Sequence, residues 1–319
     1  MKKTLITFLT ILPLLAFGQA NKLYRKALRT TDLKEKIELL SQVISIEPKN
    51  LDAHFQRGIA KNDLGDYRGA IVDYSKIIVQ DPDADTYYNR GNSRYSIKDY
   101  TGAKEDYAKA FMLDENFIDA LYSLACVKFD LGEFENAITD FDQVIKMAPN
   151  QPKTYLLRAS AYKALEKYTK ALEDYTKAII VDPNSNTFYN RGAFYMDINY
   201  FQKANDDLTT ALKLNQNNSY AYFYRGASYL LLGKFTEAIS DFSSALKFDS
   251  NDFDAYLGLA VAYYKINDDK NAKLNFDRAN QILSINKEIN SVDLYSNTYW
   301  FQNQYYYFNN NIAKLVKIK

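Results

Sequence analysis

Few side chains in this chain could do covalent chemistry. His54 is the single histidine and Cys126 the single cysteine among 319 residues. One histidine rules out a His-pair metal site and an HExxH motif; one cysteine rules out CxxC and Cys2His2 sites. A thiol–imidazole nucleophile would have to join Cys126 to His54, which lie far apart along the chain. GxSxG, P-loop and GxGxxG motifs are missing from the sequence. No catalytic residue, no metal and no cofactor is therefore expected, and the chain does not read as an enzyme. The charges that do recur are arginines with matching aspartates. Arg57, Arg90, Arg158, Arg191 and Arg225 each precede a small residue, and Asp73, Asp106, Asp174, Asp207 and Asp241 each precede a large one further on. An arginine row could read acidic ligands. Each arginine arrives with its own aspartate, however, and a partly buried charge needs such a partner. An ion pair is the expectation, although one copy carries Leu124 in place of the arginine and still keeps Asp140.

These residues recur because the whole sequence does. Tyr87-Tyr88-Asn89-Arg90-Gly91 returns as Phe188-Tyr189-Asn190-Arg191-Gly192 and again as Tyr222-Phe223-Tyr224-Arg225-Gly226. Gly58, Gly91, Ala125, Ala159, Gly192, Gly226 and Ala260 mark one small position, at steps of 33, 34, 34, 33, 34 and 34 residues. Twelve residues after each comes Ala70, Ala103, Ala137, Ala171, Ala204, Ala238 or Ala272. Four further on stands a large residue: Tyr74, Tyr107, Phe141, Tyr175, Leu208, Phe242 or Phe276. Pro82, Pro149 and Pro183 close units, since proline cannot continue a helix. Small residues let two helix backbones approach, and the large residue fills the gap beside them. Each helix pair leaves one apolar face open, which only the next pair can cover.

The pattern resembles the tetratricopeptide repeat, a helix–turn–helix of about 34 residues. The resemblance implies an all-α fold, a right-handed α-solenoid of helix–turn–helix repeats with a C-terminal capping helix. Seven copies span 51–286, a degenerate N-terminal repeat spans 19–50 with Leu40, Val43 and Pro48 in register, and 287–319 is an aromatic-rich cap. Turns such as Leu64-Gly65-Asp66-Tyr67 and Leu232-Gly233-Lys234-Phe235 suit a left-handed glycine after the first helix.

The resemblance also implies a concave groove, lined by the first helices, that takes a peptide segment or a partner helix. Its lining would include Phe55, Gln56, Tyr88, Asn89, Asn92, Tyr95, Tyr122, Ser123, Lys163, Tyr189, Asn190, Met196, Phe223 and Tyr224. Asn89 and Asn190 match an asparagine ladder that holds peptide backbones in some members. Gln56, Ser123, Leu157, Tyr224 and Gly258 interrupt that ladder. The carboxylate clamp of chaperone-binding members is not reproduced. The partner expected is a protein or peptide, in a non-enzymatic scaffold; the other reading is a structural subunit of an envelope or secretion assembly, held by the convex face and the aromatic C-terminus.

Composition agrees with a folded chain of this kind: 47% of residues are hydrophobic and the net charge is +1, so no basic field points to nucleic acid. Many of the 28 tyrosines sit at repeat core positions, such as Tyr74, Tyr107 and Tyr175. Met1-Lys2-Lys3, an apolar run from Thr4 to Phe17 and Ala16-Phe17-Gly18 have the grammar of a signal peptide over 1–18. The run is about 14 residues, short of the roughly 20 that span a bilayer. Cleavage before Gln19 would leave no membrane span and an exported, periplasmic or secreted protein. Cys126, in a helix, reads as a buried small hydrophobe. In the last segment Tyr295, Tyr299, Trp300, Phe301, Tyr305, Tyr306, Tyr307 and Phe308 exceed one face of one helix, so some are expected to stay exposed.

Overall fold

The computed structural model describes residues 18–285 and 295–318; the expected signal peptide, save Gly18, and residues 286–294 lie outside them. Among the described residues every regular element is a helix. The chain divides into two compact units, with the division between Lys167 and Tyr168. No described helix is long and apolar enough to cross a membrane.

The first unit holds α1 (18–29), α2 (Leu33–Ile46), α3 (Leu51–Asp63), α4 (Tyr67–Gln80), α5 (Ala84–Ser96), α6 (Tyr100–Leu113), α7 (Ile118–Asp130), α8 (Phe134–Met147) and α9 (Pro152–Ala164). The second holds α10 (Tyr168–Val181), α11 (Ser185–Asp197), α12 (Phe201–Leu214), α13 (Ser219–Leu231), α14 (Phe235–Ala245), α15 (Phe253–Lys265), α16 (Asp269–Ile285), α17 (Tyr299–Asn303) and α18 (Tyr305–Leu315). Within each unit consecutive helices pack in pairs, such as α3 with α4 or α13 with α14, and each pair packs on the next. This is the all-α solenoid of helix–turn–helix repeats.

Local chemistry sets the helix ends. Asn50, Asp66, Asp83, Asp99, Asn218 and Asp252 each accept a backbone N–H of the first turn through the side chain, satisfying a donor the helix cannot. The turn inside each repeat needs a left-handed residue. Gly65, Gly132 and Gly233 provide it at φ of 86°, 76° and 77°. Lys98, Glu166, Asn199 and Asn267 adopt the same conformation at φ of 56° to 64° despite their side chains.

The small positions meet at helix contacts. A Cβ on Gly91 would lie 2.8 Å from the Tyr107 ring, and one on Gly192 2.8 Å from Leu208 Cγ. Ala70, Ala103, Ala137, Ala204 and Ala238 are fully buried, as are Phe141, Leu208 and Phe242. In the terminal pair Ala27, Leu40 and Val43 are buried, whereas Leu28 is exposed.

The C-terminal segment is two helices rather than one, broken at Gln304, which ends α17 and starts α18. Trp300 and Phe308 are buried, and Tyr305 and Tyr306 are exposed. The segment contacts α15 and α16, and it also reaches α13: the Tyr307 hydroxyl donates to the Leu230 carbonyl at 3.4 Å.

Candidate interaction surface

The arginines point inward. Arg57 donates to Asp73 from Nε (2.9 Å) and Nη2 (2.6 Å); Arg90 does the same to Asp106, Arg191 to Asp207 and Arg225 to Asp241. These are two-pronged, charge-assisted bonds between the two helices of one repeat. Nη1 then reaches a hydroxyl on the second helix of the preceding repeat: Ser41 from Arg57, Ser75 from Arg90, Thr176 from Arg191 and Thr209 from Arg225. One guanidinium thus ties three helices. Arg158 pairs with Asp142 of α8, at the same kind of position.

A second set of cations shares these aspartates, and no recurrence in the sequence marks it. Three residues after the small position stand Lys61, Arg94 and Lys128, which bond Asp73, Asp106 and Asp140 at 2.8, 3.0 and 2.6 Å. Lys128 explains how Asp140 survives without an arginine. Later repeats place Tyr195 and Tyr229 there, with Arg191 and Arg225 over the rings at 5.9 and 5.8 Å. The carboxyls respond. Burial works to raise Asp73, but bonds from Arg57, Lys61 and His54 outweigh it and hold it below the ordinary range. At Asp140 and Asp241 burial prevails over a single cation and raises the carboxyl. His54 is therefore structural: its Nδ1 lies 2.9 Å from Asp73, with the ring 1% exposed.

With these cations committed, what the first helices of the first unit leave toward solvent is aromatic and polar. First helices touch one another, α3 with α5 and α7 with α9. The Ser93 hydroxyl donates to Asn62 Oδ1 at 2.9 Å, and the Tyr95 hydroxyl bonds Asp130 at 2.5 Å. Phe55, Gln56, Tyr88, Asn89, Asn92, Tyr122 and Ser123 are half-buried, while Tyr95 and Lys163 are exposed. Phe55 leans on Tyr74 (5.9 Å between centroids), Tyr88 on Phe117 (4.9 Å) and Tyr122 on Phe141 (6.3 Å). Lys153 lies 4.4 Å over the Tyr122 ring. Asn89 spends one amide proton on the Asp85 carbonyl at 2.8 Å, leaving its Oδ1 to accept. Asn92 instead accepts from the Tyr107 hydroxyl. Burial pushes the Cys126 thiol up to about 11, as an inert packed cysteine requires.

The second unit differs. Tyr189 meets Tyr220 and Tyr224 at 6.4 and 5.8 Å, and Asn190 donates to the Asn186 carbonyl at 2.7 Å. Met196 is fully buried and belongs to the core, not to a groove. Phe223 is 8% exposed because Tyr299 and Trp300 lie on it at 5.2 and 6.1 Å; Tyr224 carries Tyr299 at 5.4 Å. The chain's own C-terminal segment covers part of this stretch, so both rings line a cleft that Tyr299 shares. Asp254, which the sequence did not single out, anchors the segment. Among the described residues no group of histidine, cysteine, aspartate and glutamate is arranged to hold a metal ion.

Comparison with known proteins follows this geometry. Models described as tetratricopeptide repeat match residues 84–117, 118–151, 152–185 and 207–240, and one described as TPR repeat matches 228–267. A tetratricopeptide repeat protein from Parabacteroides merdae is 18% identical, with TM-score 0.60 over 77% of this chain and 99% of that one. The C-terminal part of a TPR repeat-containing protein from Cytophaga hutchinsonii is 17% identical, with TM-score 0.60 over 76% and 99%. A chain of an APC/C hetero-tetramer is 17% identical, with TM-score 0.56 over 89% and 55%. At these identities the likeness concerns the fold. No curated protein matches the sequence.

Proposed function

We infer, since this chain belongs to the tetratricopeptide repeat family, that it is a non-enzymatic scaffold whose inner face on α3, α5 and α7 binds a peptide segment of another protein. One observation carries the reading. The cations on these helices turn inward to buried aspartates, so what remains toward a partner is Phe55, Tyr88 and Tyr122 beside Gln56, Asn89 and Ser123. Half-buried rings offer area at low ordering cost, and amides and hydroxyls pair with a peptide backbone. The bonds between first helices hold the surface ready before a partner arrives.

Peptide-library panning on the whole protein tests this. Enriched peptides should lose at least tenfold in affinity for Tyr88→Ala and for Asn89→Ala. Equal affinity for the wild type and both variants would remove the groove from the account. The leader-like residues 1–18 support an exported scaffold of the cell envelope. N-terminal sequencing of the protein from its native cells should begin at Gln19, and a chain still beginning at Met1 in the cytoplasm would refute export. Exposed Tyr305 and Tyr306 favour a second reading, a subunit of an envelope assembly held by its C-terminus. Double replacement of these tyrosines by Ala would then abolish partner capture that Asn89→Ala leaves intact.

A further inference from the structure

The second unit shows how one cleft on the inner face receives a chain segment. Tyr299 donates its backbone N–H to the Asp254 carboxylate at 2.9 Å, and its ring meets Phe223 at 5.2 Å. Trp300 donates its indole N–H to the Asp254 carbonyl at 2.8 Å. The cleft lies between two successive first helices, α13 and α15, and its lining includes Phe223, Ala245, Asp249, Asp252, Asp254 and Tyr299 itself.

The repeat register places a second copy of this cleft in the first unit. Phe55, Ile77, Asp81, Asp83 and Asp85 stand at the positions of Phe223, Ala245, Asp249, Asp252 and Asp254, and they too line one cleft, between α3 and α5. The correspondence extends to roles. Asp83 caps α5 as Asp252 caps α15, each accepting the N–H three residues on. Asp85 is exposed, and among the described residues no salt bridge holds its carboxylate. Two positions differ. Gln56 and Asn89 stand where Tyr224 and Gly258 do, and Tyr224 carries the Tyr299 ring at 5.4 Å, so the first-unit copy is more polar beside its aromatic seat.

We propose that the Phe55–Asp85 cleft is a binding site for an aromatic residue of a partner segment, with that residue's backbone N–H donated to the Asp85 carboxylate and its ring seated on Phe55. The occupant is a segment with the chemistry of Thr298-Tyr299-Trp300: a hydroxyl side chain that caps a helical turn by accepting the N–H three residues on, then an aromatic residue whose own first-turn N–H has no partner within the helix. The proposal rests on reading the α3–α7 face as the peptide surface, and it names the partner's chemistry there.

The probe is a fluorescein-labelled synthetic peptide of residues 295–308, titrated against the whole chain by anisotropy. In the wild type Tyr299 already takes the Asp254 carboxylate and lines the α13–α15 cleft, so the variants decide which of the two clefts the peptide enters. Asp85→Asn, at an exposed position that leaves the fold intact, should weaken binding at least threefold, and Phe55→Ala at least tenfold. A peptide with Ala at the position of Tyr299 should bind at least tenfold more weakly. Circular dichroism checks that Phe55→Ala keeps its helix content; if it does not, Asp85→Asn and the altered peptide decide. Absence of saturable binding overturns the proposal. So does binding that ignores Phe55 and Asp85 but is lost in Asp254→Ala, because the peptide then exchanges with the resident segment. If library peptides bind through Tyr88 and Asn89 while this one does not, this inference fails and the groove reading stands.

Discussion

Arg90 grips Asp106 with two parallel bonds, Nε to Oδ2 at 2.9 Å and Nη2 to Oδ1 at 2.7 Å, while Arg94 holds the same carboxylate at 3.0 Å. The carboxylate is 2% exposed, so water contributes little to its charge. Its counterpart Asp241 is 6% exposed and is held by Arg225 at 2.7 Å, Tyr229 standing where Arg94 would be. The same motif is therefore doubly secured in one unit and singly in the other.

This asymmetry orders two mutations. Arg225→Ala strands a buried carboxylate and should cost about 3–5 kcal/mol, the range for breaking a buried pair. Arg90→Ala leaves Arg94 in place and should cost roughly half as much by the same principle. Denaturant melts of the whole chain, followed by circular dichroism, measure both. Equal losses would show that Arg94 gives Asp106 no support.

Gly91 is a tight case of a small position. Alanine is better than glycine in a helix by about 1 kcal/mol. At Gly91 the new methyl would lie 2.8 Å from the Tyr107 ring and 3.3 Å from Asp106 Cβ, so the helices must part. Overpacking of this kind costs typically about 1–3 kcal/mol. Gly91→Ala should destabilise, with a lower denaturation midpoint; a raised midpoint would mean that the contact relaxes freely.

Lys98 offers the reverse. Its φ of 64° is the conformation that Gly65 and Gly132 adopt at the same turn without strain. The left-handed region costs a side-chain-bearing residue about 1–2 kcal/mol. Lys98→Gly should therefore stabilise by about 1 kcal/mol, less the greater freedom of glycine in the unfolded chain. An unchanged or lower melting midpoint would show that the Lys98 side chain repays its strain.

The repeat architecture was legible because it is written in residue size: a glycine or alanine every 33 or 34 positions has no other economical explanation. The arginine–aspartate pairs were legible because both partners recur together. Lys61, Arg94 and Lys128 were not, since a cation on a helix reads as solvated until the neighbouring aspartate is placed beside it. Phe223 and Met196 hold groove positions by repeat register alone. Register tells where a residue stands in its own module and says nothing of what a later segment lays over it. Tyr299 and Trp300 lie outside the repeats, so no period announces where they dock.

The docking of that segment should respond to pH. Burial pushes the Asp254 carboxyl up to about 7, with the nearby Asp252 adding to the shift against the opposing bond from the Tyr299 N–H. The groups facing it are Asp252 on its own helix cap, Asp249 across the cleft, Tyr224 on α13 and Tyr299 on the segment. Released into water, Asp254 would ionise nearer its ordinary 3.8. The docked state thus binds the proton more tightly than the released one. Docking is fully favoured below about pH 4, weakens as pH rises through that range, and is weakest above about 7. Trp300 is the single tryptophan and is 2% exposed when docked. Its emission should shift red, and its quenching by acrylamide rise, between pH 5 and pH 8, while far-ultraviolet circular dichroism holds the repeats constant. Asp254→Asn, which cannot ionise, should keep the tryptophan buried across the same range. A pH response that persists in Asp254→Asn would move the titration to another group and detach Asp254 from the docking of the segment.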